Sequence, residues 1–274
     1  MFEAKLVEAA LLKKIVEAIK DLVTDAPFDV SESGVSLQAM DSSHVALVSL
    51  KLEAHGFDTF RCDRSQSLGI SMATLAKILK CANNDDTAKL KYEEESDLMC
   101  ISFESTKHNR EQDCEMKLMD LDAEHLGIPD QEYACVVTMP SAEFQKACRD
   151  IATFSDSLNI TATKNGIQFQ GRGDTGSQTI RWNQSGSADD DSQAVTIDLK
   201  EPVNVTFAIK YMNQFTKATH LSDTVTLSMS QDIPIVIEYK IQTKASEDDE
   251  ATEMGYLRFY LAPKIDDDEM AGEN

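Results

Sequence analysis

Residues 171–176, GRGDTG, match the G-x-G-x-x-G pattern whose glycines let backbone amides approach a pyrophosphate. That chemistry requires a helix directly after the loop, because the helix N-terminus meets the phosphate charge. Here the loop runs into SQTIRW, a strand-like segment, so the context for dinucleotide binding is missing. Asp41, Ser42, Ser43 and His44 have the residue types of nucleophilic catalysis, but immediate neighbours in sequence rarely form a triad. The acid runs 189–191, 248–250 and 266–269 lack the spacing of a calcium loop and read as solvated loops or tail. No G-x-x-x-x-G-K-[ST] occurs, which argues against ATP hydrolysis by a P-loop. The six cysteines (62, 81, 100, 114, 135 and 148) form no C-x-x-C and no zinc spacing, and several sit in apolar runs as small buried residues. The expectation is a chain with no enzymatic activity, no metal and no cofactor. With no secretory signal and no apolar run long enough to span a bilayer, its expected compartment is intracellular and reducing.

The charges are more informative. The chain has 274 residues and a net charge of −22, which taken alone speaks against nucleic acid. The four segments with helical periodicity, 9–22, 72–82, 142–154 and 208–219, nevertheless hold Lys13, Lys14, Lys20, Lys77, Lys80, Lys146, Arg149, Lys210 and Lys217. These nine cations face only four acids, a surplus of five that leaves −27 for the remainder. Spacings of three (77 and 80, 146 and 149) or seven (13 and 20, 210 and 217) put side chains on one helical face. On any one helix, such lysines are an ordinary solvated face. Gathered on four helices inside an acidic chain, they form a positive surface that touches phosphates without reading bases.

The elements that carry these residues recur. A short strand at 2–7 leads into the first helix, and strand-like runs follow at 35–40, 45–52, 57–62 and 66–70. Ser71 is placed to cap the second helix, and strands at 88–92, 98–104 and 114–118 complete the half. After 118–134 the order repeats: a strand at 134–139, the cap candidate Ser141, a helix ending near 154, an Asn165–Gly166 hairpin signal, and a strand at 203–207 feeding the last helix. Strands at 225–229, 233–241 and 256–261 end the pattern. Gly34 and Gly166 differ by 132, as do Lys14 and Lys146, whereas Lys80 and Lys217 differ by 137. The halves are therefore one unit used twice, with about five residues inserted in the second, near 189–191. The expected class is α+β, with two similar domains, 1–117 and 135–274, joined by an extended connector at 118–134. Each domain has antiparallel sheets with two helices on one face.

LKKIVEAIKDL (12–22), GVSLQAMDSSHVALVSL (34–50), GFDTFRCDR (56–64), KILKCA (77–82), MKLMDLDAEHLGIPDQEY (116–133), NQFTKAT (213–219), TVTLSM (224–229) and YLAPKID (260–266) together resemble the proliferating cell nuclear antigen family of eukaryotic sliding clamps, over nearly the whole chain. The resemblance implies the DNA-clamp fold: three identical subunits in a closed ring, sheets outside and helices lining the hole. It implies a processivity factor that encircles double-stranded DNA without sequence specificity. The implied partners are DNA polymerases, an ATP-driven clamp loader and other replication and repair proteins that carry a short docking motif. It also implies nuclear location and no membrane. An alternative is a checkpoint-type clamp subunit or adaptor that assembles with non-identical partners; an acidic chaperone for basic proteins is a third reading.

The resemblance places a partner-peptide pocket at Met40, His44, Val45, Leu47, Leu126, Ile128, Pro129, Tyr133, Asp232, Pro234, Tyr260, Ala262 and Pro263. Without it, Met40, Val45 and Leu47 would be ordinary strand core. It places subunit contacts along 111–117 and 175–181, with Cys81, Cys114, Glu115, Met116, Thr175, Gln178 and Ile180 as interface residues. Cys114 stands where the family commonly has Tyr, which removes an aromatic from that edge. Lys164, beside the Asn165–Gly166 turn, takes the place of the family's acceptor for ubiquitin or SUMO. The polar, acidic segment 242–252 is longer than the corresponding turn in familiar clamps and reads as a surface loop.

Overall fold

Alternating apolar residues in the first half build a series of antiparallel strands: β1 (Phe2–Leu6), β2 (Asp25–Ser31), β3 (Gly34–Met40), β4 (Ala46–Glu53), β5 (Thr59–Cys62), β6 (Gln66–Ser71), β7 (Thr87–Tyr92), β8 (Leu98–Ser105) and β9 (Arg110–Lys117). Two helices interrupt them, α1 (Ala9–Ile19) and α2 (Met72–Leu79). The second half has β10 (Cys135–Pro140), α3 (Ser141–Ile151), β11 (Ser157–Thr163), β12 (Gly166–Gly173), β13 (Gly176–Trp182), β14 (Thr196–Leu199), β15 (Val203–Ala208), α4 (Ile209–Phe215), β16 (Thr224–Met229), β17 (Ile235–Gln242) and β18 (Glu253–Leu261). These elements come from a computed structural model that describes residues 1–94, 96–121, 126–128, 131–183, 194–242 and 252–264. The acid runs at 189–191, 248–250 and 266–269, and Pro129 of the expected pocket, lie outside the described residues.

The chain divides into two units, Met1–Ile128 with Lys240–Arg258, and Pro129–Tyr239 with Phe259–Asn274. In the first, β5-β1-β7-β8-β9 form one sheet, and β18-β4-β3-β2-β6 run side by side in that order. In the second, the runs are β14-β10-β16-β17 and β13-β12-β11-β15. Both α1 and α3 span eleven residues with matching offsets, Ala9 to Ser141 and Ile19 to Ile151. In each unit the strands alternate buried and half-buried residues, as in β1 and β11, and helices pack on the sheets. Leu12, Ile15, Val16 and Ile19 are the inward stripe of α1; Phe144, Ala147, Cys148 and Ile151 serve α3. The Phe144 and Phe169 rings meet edge to face at 6.0 Å, and Phe215 stacks on Phe259 at 4.6 Å.

Several local expectations are corrected. β2 is missing from the sequence reading because its run, DAPFDVS, contains Pro27 and two aspartates, yet it pairs with both β3 and β6. The helices stop three or more residues early: α1 ends at Ile19, α3 at Ile151, and α4 at Phe215, where a 3-10 stretch, Thr216–Leu221, takes over. β9 begins at Arg110 rather than at 114. Ser71 stands at the N-cap position but makes no side-chain cap bond. Ser141 is the first helical residue, and its hydroxyl donates to the carbonyls of Ser222 and Asp223 instead, tying α3 to the start of β16. The hairpin between β11 and β12 turns on Lys164 and Asn165, with Gly166 already paired to Thr163.

One buried carboxylate organises the end of the first unit. Asp86 is fully buried and accepts from the Asn83 amide at 2.8 Å and from Arg110 at 2.8 Å. Burial would raise its pKa, but hydrogen bonds from Asn83, Ser105 and Arg110 outweigh that and hold the carboxyl below its ordinary value. Cys62, Cys135 and Cys148 are buried as expected, whereas Cys81 is exposed and Cys100 and Cys114 are half-buried. Burial pushes the Cys135 thiol up to about 11 and raises Cys148 further, so neither is a nucleophile.

Candidate nucleic-acid interface and docking pocket

All nine cations fall on or directly beyond the helices. Lys13 and Lys14 lie within α1, and Lys20 is its C-cap. Lys77 lies in the last turn of α2, with Lys80 as C-cap. Lys146 and Arg149 are on α3, Lys210 is on α4, and Lys217 is in the 3-10 stretch after it. They do not all have the same freedom. Lys14, Lys77, Lys80 and Lys146 are exposed and make no ion pair among the described residues. Lys20 pairs with Glu17 at 2.7 Å. Arg149 donates to the Gln145 amide oxygen at 3.3 Å, and Lys210 lies 4.8 Å from the Tyr211 ring centroid. The Lys13 ammonium donates to the carbonyl of Ala82 and to Asn84, so it ties α1 to the segment after α2. Lys13 is thus a structural link first, which helical spacing alone does not reveal.

The Asp41–His44 run has no catalytic geometry. Asp41 is 6 % exposed, and its carboxylate accepts from the amides of Ser43 (3.2 Å), Val45 (2.9 Å) and Ala46 (2.9 Å). This folds 41–46 into a tight loop with His44 at φ 56°. The loop pushes Val45 outward, 38 % exposed, while Leu47 is 9 % exposed and Met40 is half-buried. The connector supplies the other apolar surface of this unit. Its start is held by the Leu118 amide on Asp97 O (2.8 Å) and the Met119 amide on Gly69 O (2.9 Å). Gly69 is required there, since a Cβ would lie 2.1 Å from Met119 O. Further on, the Leu126 amide donates to the Gln38 side chain at 3.0 Å, leaving the Leu126 side chain 39 % exposed. Ile128 is half-buried.

The second unit holds the remaining described pocket residues. Asp232 has φ 61° in the turn before β17, and Pro234 follows it, exposed. Tyr260 is half-buried near the end of β18, followed by exposed Ala262 and half-buried Pro263. The Tyr133 hydroxyl accepts from Gln131 at 3.0 Å. Apart from the exposed carboxylate of Asp232 these groups are apolar or weakly polar. Among the described residues no cluster of His, Cys, Asp and Glu can hold a metal, and no helix is long and apolar enough to cross a membrane.

β9 and β13 each end a sheet with one side unpaired in the strand order, as do β5, β6, β14 and β15. Cys81 and Glu115 are exposed, and Cys114 is half-buried. Thr175 is exposed, and Gln178 and Ile180 are half-buried. Met116 is different: at 1 % exposure its side chain belongs to the core of the first unit, so only its backbone is available at the edge. Lys164 is exposed in its hairpin.

Family comparison decides the identity. The model for the "Proliferating cell nuclear antigen, N-terminal domain" matches residues 1–125, and that for the C-terminal domain matches 127–264. The chain is 63 % identical over 270 residues to the proliferating cell nuclear antigen of Caenorhabditis elegans, covering 98 % of this chain and 99 % of that one. The chain belongs to the proliferating cell nuclear antigen family. As a member, it is a non-enzymatic DNA sliding clamp and processivity factor. Proliferating cell nuclear antigens act as homotrimers on DNA and bind polymerases, clamp loader and other clamp-binding proteins, and these are the partners of this chain. A checkpoint-type subunit with non-identical partners is not favoured.

Sequence reasoning missed the role of Asp41, whose cradle of amides sets the loop that exposes Val45. The signal was present in DSSH, a short acidic and hydroxyl run of the kind that bonds its own backbone.

Proposed function

We propose that the helix cations are the surface on which duplex DNA rides, with Lys14, Lys77, Lys80, Lys146, Arg149, Lys210 and Lys217 as the direct phosphate contacts and Lys20 shared with Glu17. Lys13 contributes charge while holding α1 in place. The carrying observation is the surplus of cations on the helices, nine against four acids in an otherwise acidic chain, with four of them exposed and without ion pairs among the described residues. Contacts of this kind are salt-dependent and blind to sequence, which suits a protein that must move along DNA.

The apolar residues Val45, Leu47, Leu126 and Ile128 of the first unit serve as the docking surface for an extended peptide bearing an aliphatic residue and aromatics; in the second unit the residues expected to meet such a peptide are Tyr133, Pro234, Tyr260 and Pro263. The exposed backbone of the connector offers pairing groups for that peptide. The domain division is 1–117, 118–134 and 135–274. The ring closes by pairing of β9 with β13 of the next copy, which also removes two sheet edges. Lys164 is the acceptor for ubiquitin-like modification, and the protein works in the nucleus.

The test is topological. Loaded onto nicked circular DNA with a clamp loader and ATP, the protein should stay through gel filtration and be released when the circle is linearised. Equal retention on circle and linear DNA would refute encirclement.

A further inference from the structure

The β13-β12-β11-β15 sheet of the second unit has an unusual polar side. Its strands bury Leu158, Ile160, Phe169 and Phe207 on the side that meets α3. On the other side every polar side chain is a hydroxyl, an amide or an arginine, and no Asp or Glu stands among them. In a chain with 48 acids against 26 basic residues, a sheet face without a carboxylate is a local relief from negative charge.

A groove of about 350 Å³ opens on this side, lined by Ser155, Ser157, Asn159, Gln170, Arg172 and Thr206. Asn159 on β11 stands opposite Gln170 on β12 and Thr206 on β15. Arg172 lies between Gly171 and Gly173. A Cβ on these glycines would strike Ile151 at 2.5 Å and Phe154 O at 1.9 Å, so the turn after α3 rests on β12 and carries Ser155 to the groove. The Lys264 ammonium stands at the rim, donating to Ser157 Oγ at 2.5 Å.

The polar atoms of the groove are committed on one side only. Ser155, 8 % exposed, accepts from the Ser157 amide at 3.1 Å, Ser157 accepts from Lys264, and Thr206 accepts from the Asn159 side chain at 3.1 Å. Each hydroxyl thus keeps its proton to donate. Asn159 is itself held by Asn204 at 2.8 Å and Thr161 at 3.2 Å. Arg172 is exposed and makes no ion pair or hydrogen bond among the described residues, so its guanidinium fork is free. Asp156 and Asp174, close in sequence, do not line the groove. The duplication sharpens the contrast. Counting back 132 positions, Gln170 corresponds to Gln38, Arg172 to Met40, and Thr161 to Asp29. Gln38 and Asp29 line a groove of the first unit together with Leu126 and Tyr256. In the second unit the acid is gone and a cation replaces the thioether.

We propose that the Arg172 groove is a docking site for an extended segment of a partner protein that carries phosphoserine or phosphothreonine. The phosphate takes the guanidinium fork and the three hydroxyl protons, in short charge-assisted bonds. The volume suits one phosphorylated side chain with its neighbours. Nucleic acid fits less well, because no aromatic lines the groove for base stacking and a net charge of −22 repels a polyanion more than a single phosphate.

The test uses the full chain and fluorescein-labelled degenerate peptides with either phosphoserine or serine fixed at the centre, read by anisotropy. The phosphorylated pool should bind at least roughly tenfold tighter than the serine pool, and Arg172→Gln should remove that advantage. Arg181→Gln is the control, since Arg181 is on the same side of the sheet, bonds Gln168 at 2.8 Å and does not line the groove; it should change binding less than about twofold. Equal binding of the two pools, or an equal loss at Arg181, would overturn the site. Inorganic phosphate that binds as tightly as the peptide would reduce it to a free-anion site, and a thymidine oligonucleotide that displaces the peptide at lower concentration would make nucleic acid the occupant; either result overturns the protein partner. Binding that appears only after removal of 265–274 would make the chain's own acidic tail the occupant and overturn it too.

Discussion

Lys77 and Lys80 offer the sharpest measure of how the clamp holds DNA. Both are exposed near the end of α2 and make no ion pair among the described residues, so changing them to Ala breaks no internal contact. A homotrimer loses six cations. If the pair supplies one phosphate contact per chain, three contacts disappear, and the slope of log K against log salt becomes shallower by about 2.7. Between about 50 and 200 mM salt, the variant should then lose roughly 40-fold less affinity than the wild type. Fluorescence anisotropy with a short duplex, titrated with salt, gives the slope directly. Lys89→Ala with Lys91→Ala is the control, since these lysines lie on strand β7 and pair with Glu3 and Glu93. An unchanged slope for the α2 pair would refute its contact with DNA. An equal change for the β7 pair would refute the localised track and leave only net charge.

Leu126→Ser should weaken binding of a docking-motif peptide at least tenfold by calorimetry and leave the DNA salt slope untouched, because the Leu126 side chain is 39 % exposed and not part of the core. Asp86→Ala should cost about 2–4 kcal/mol in urea unfolding at neutral pH, since it strands Arg110 and the Asn83 amide. The folded pKa of Asp86 is depressed, so its contribution is present above the ordinary carboxylate range and fades as pH falls through the folded value. The gap between wild type and Asp86→Ala should therefore narrow below about pH 4, and a gap that persists into strong acid would contradict the account.

The readable parts of this chain are those decided by neighbours in sequence. Helical periodicity placed the four helices and their cations, and the offsets between Gly34 and Gly166 and between Lys14 and Lys146 exposed the duplication. What escaped depends on groups far apart. Pro27 argued against a strand, yet β2 forms because Phe28 and Val30 bury between two partners that no local window contains. Lys13 resembled its neighbour Lys14 in type and spacing, and only the approach of Asn84, 71 residues away, separates a tie from a free charge. The same holds for the glycines of 171–176. Their spacing imitates a phosphate loop, but Gly171 and Gly173 are small because a side chain or backbone of 151–155 presses on them. Steric need at a packed turn and close approach to a ligand select the same residue. Only the element that follows the loop tells them apart, and here that element is the edge strand β13.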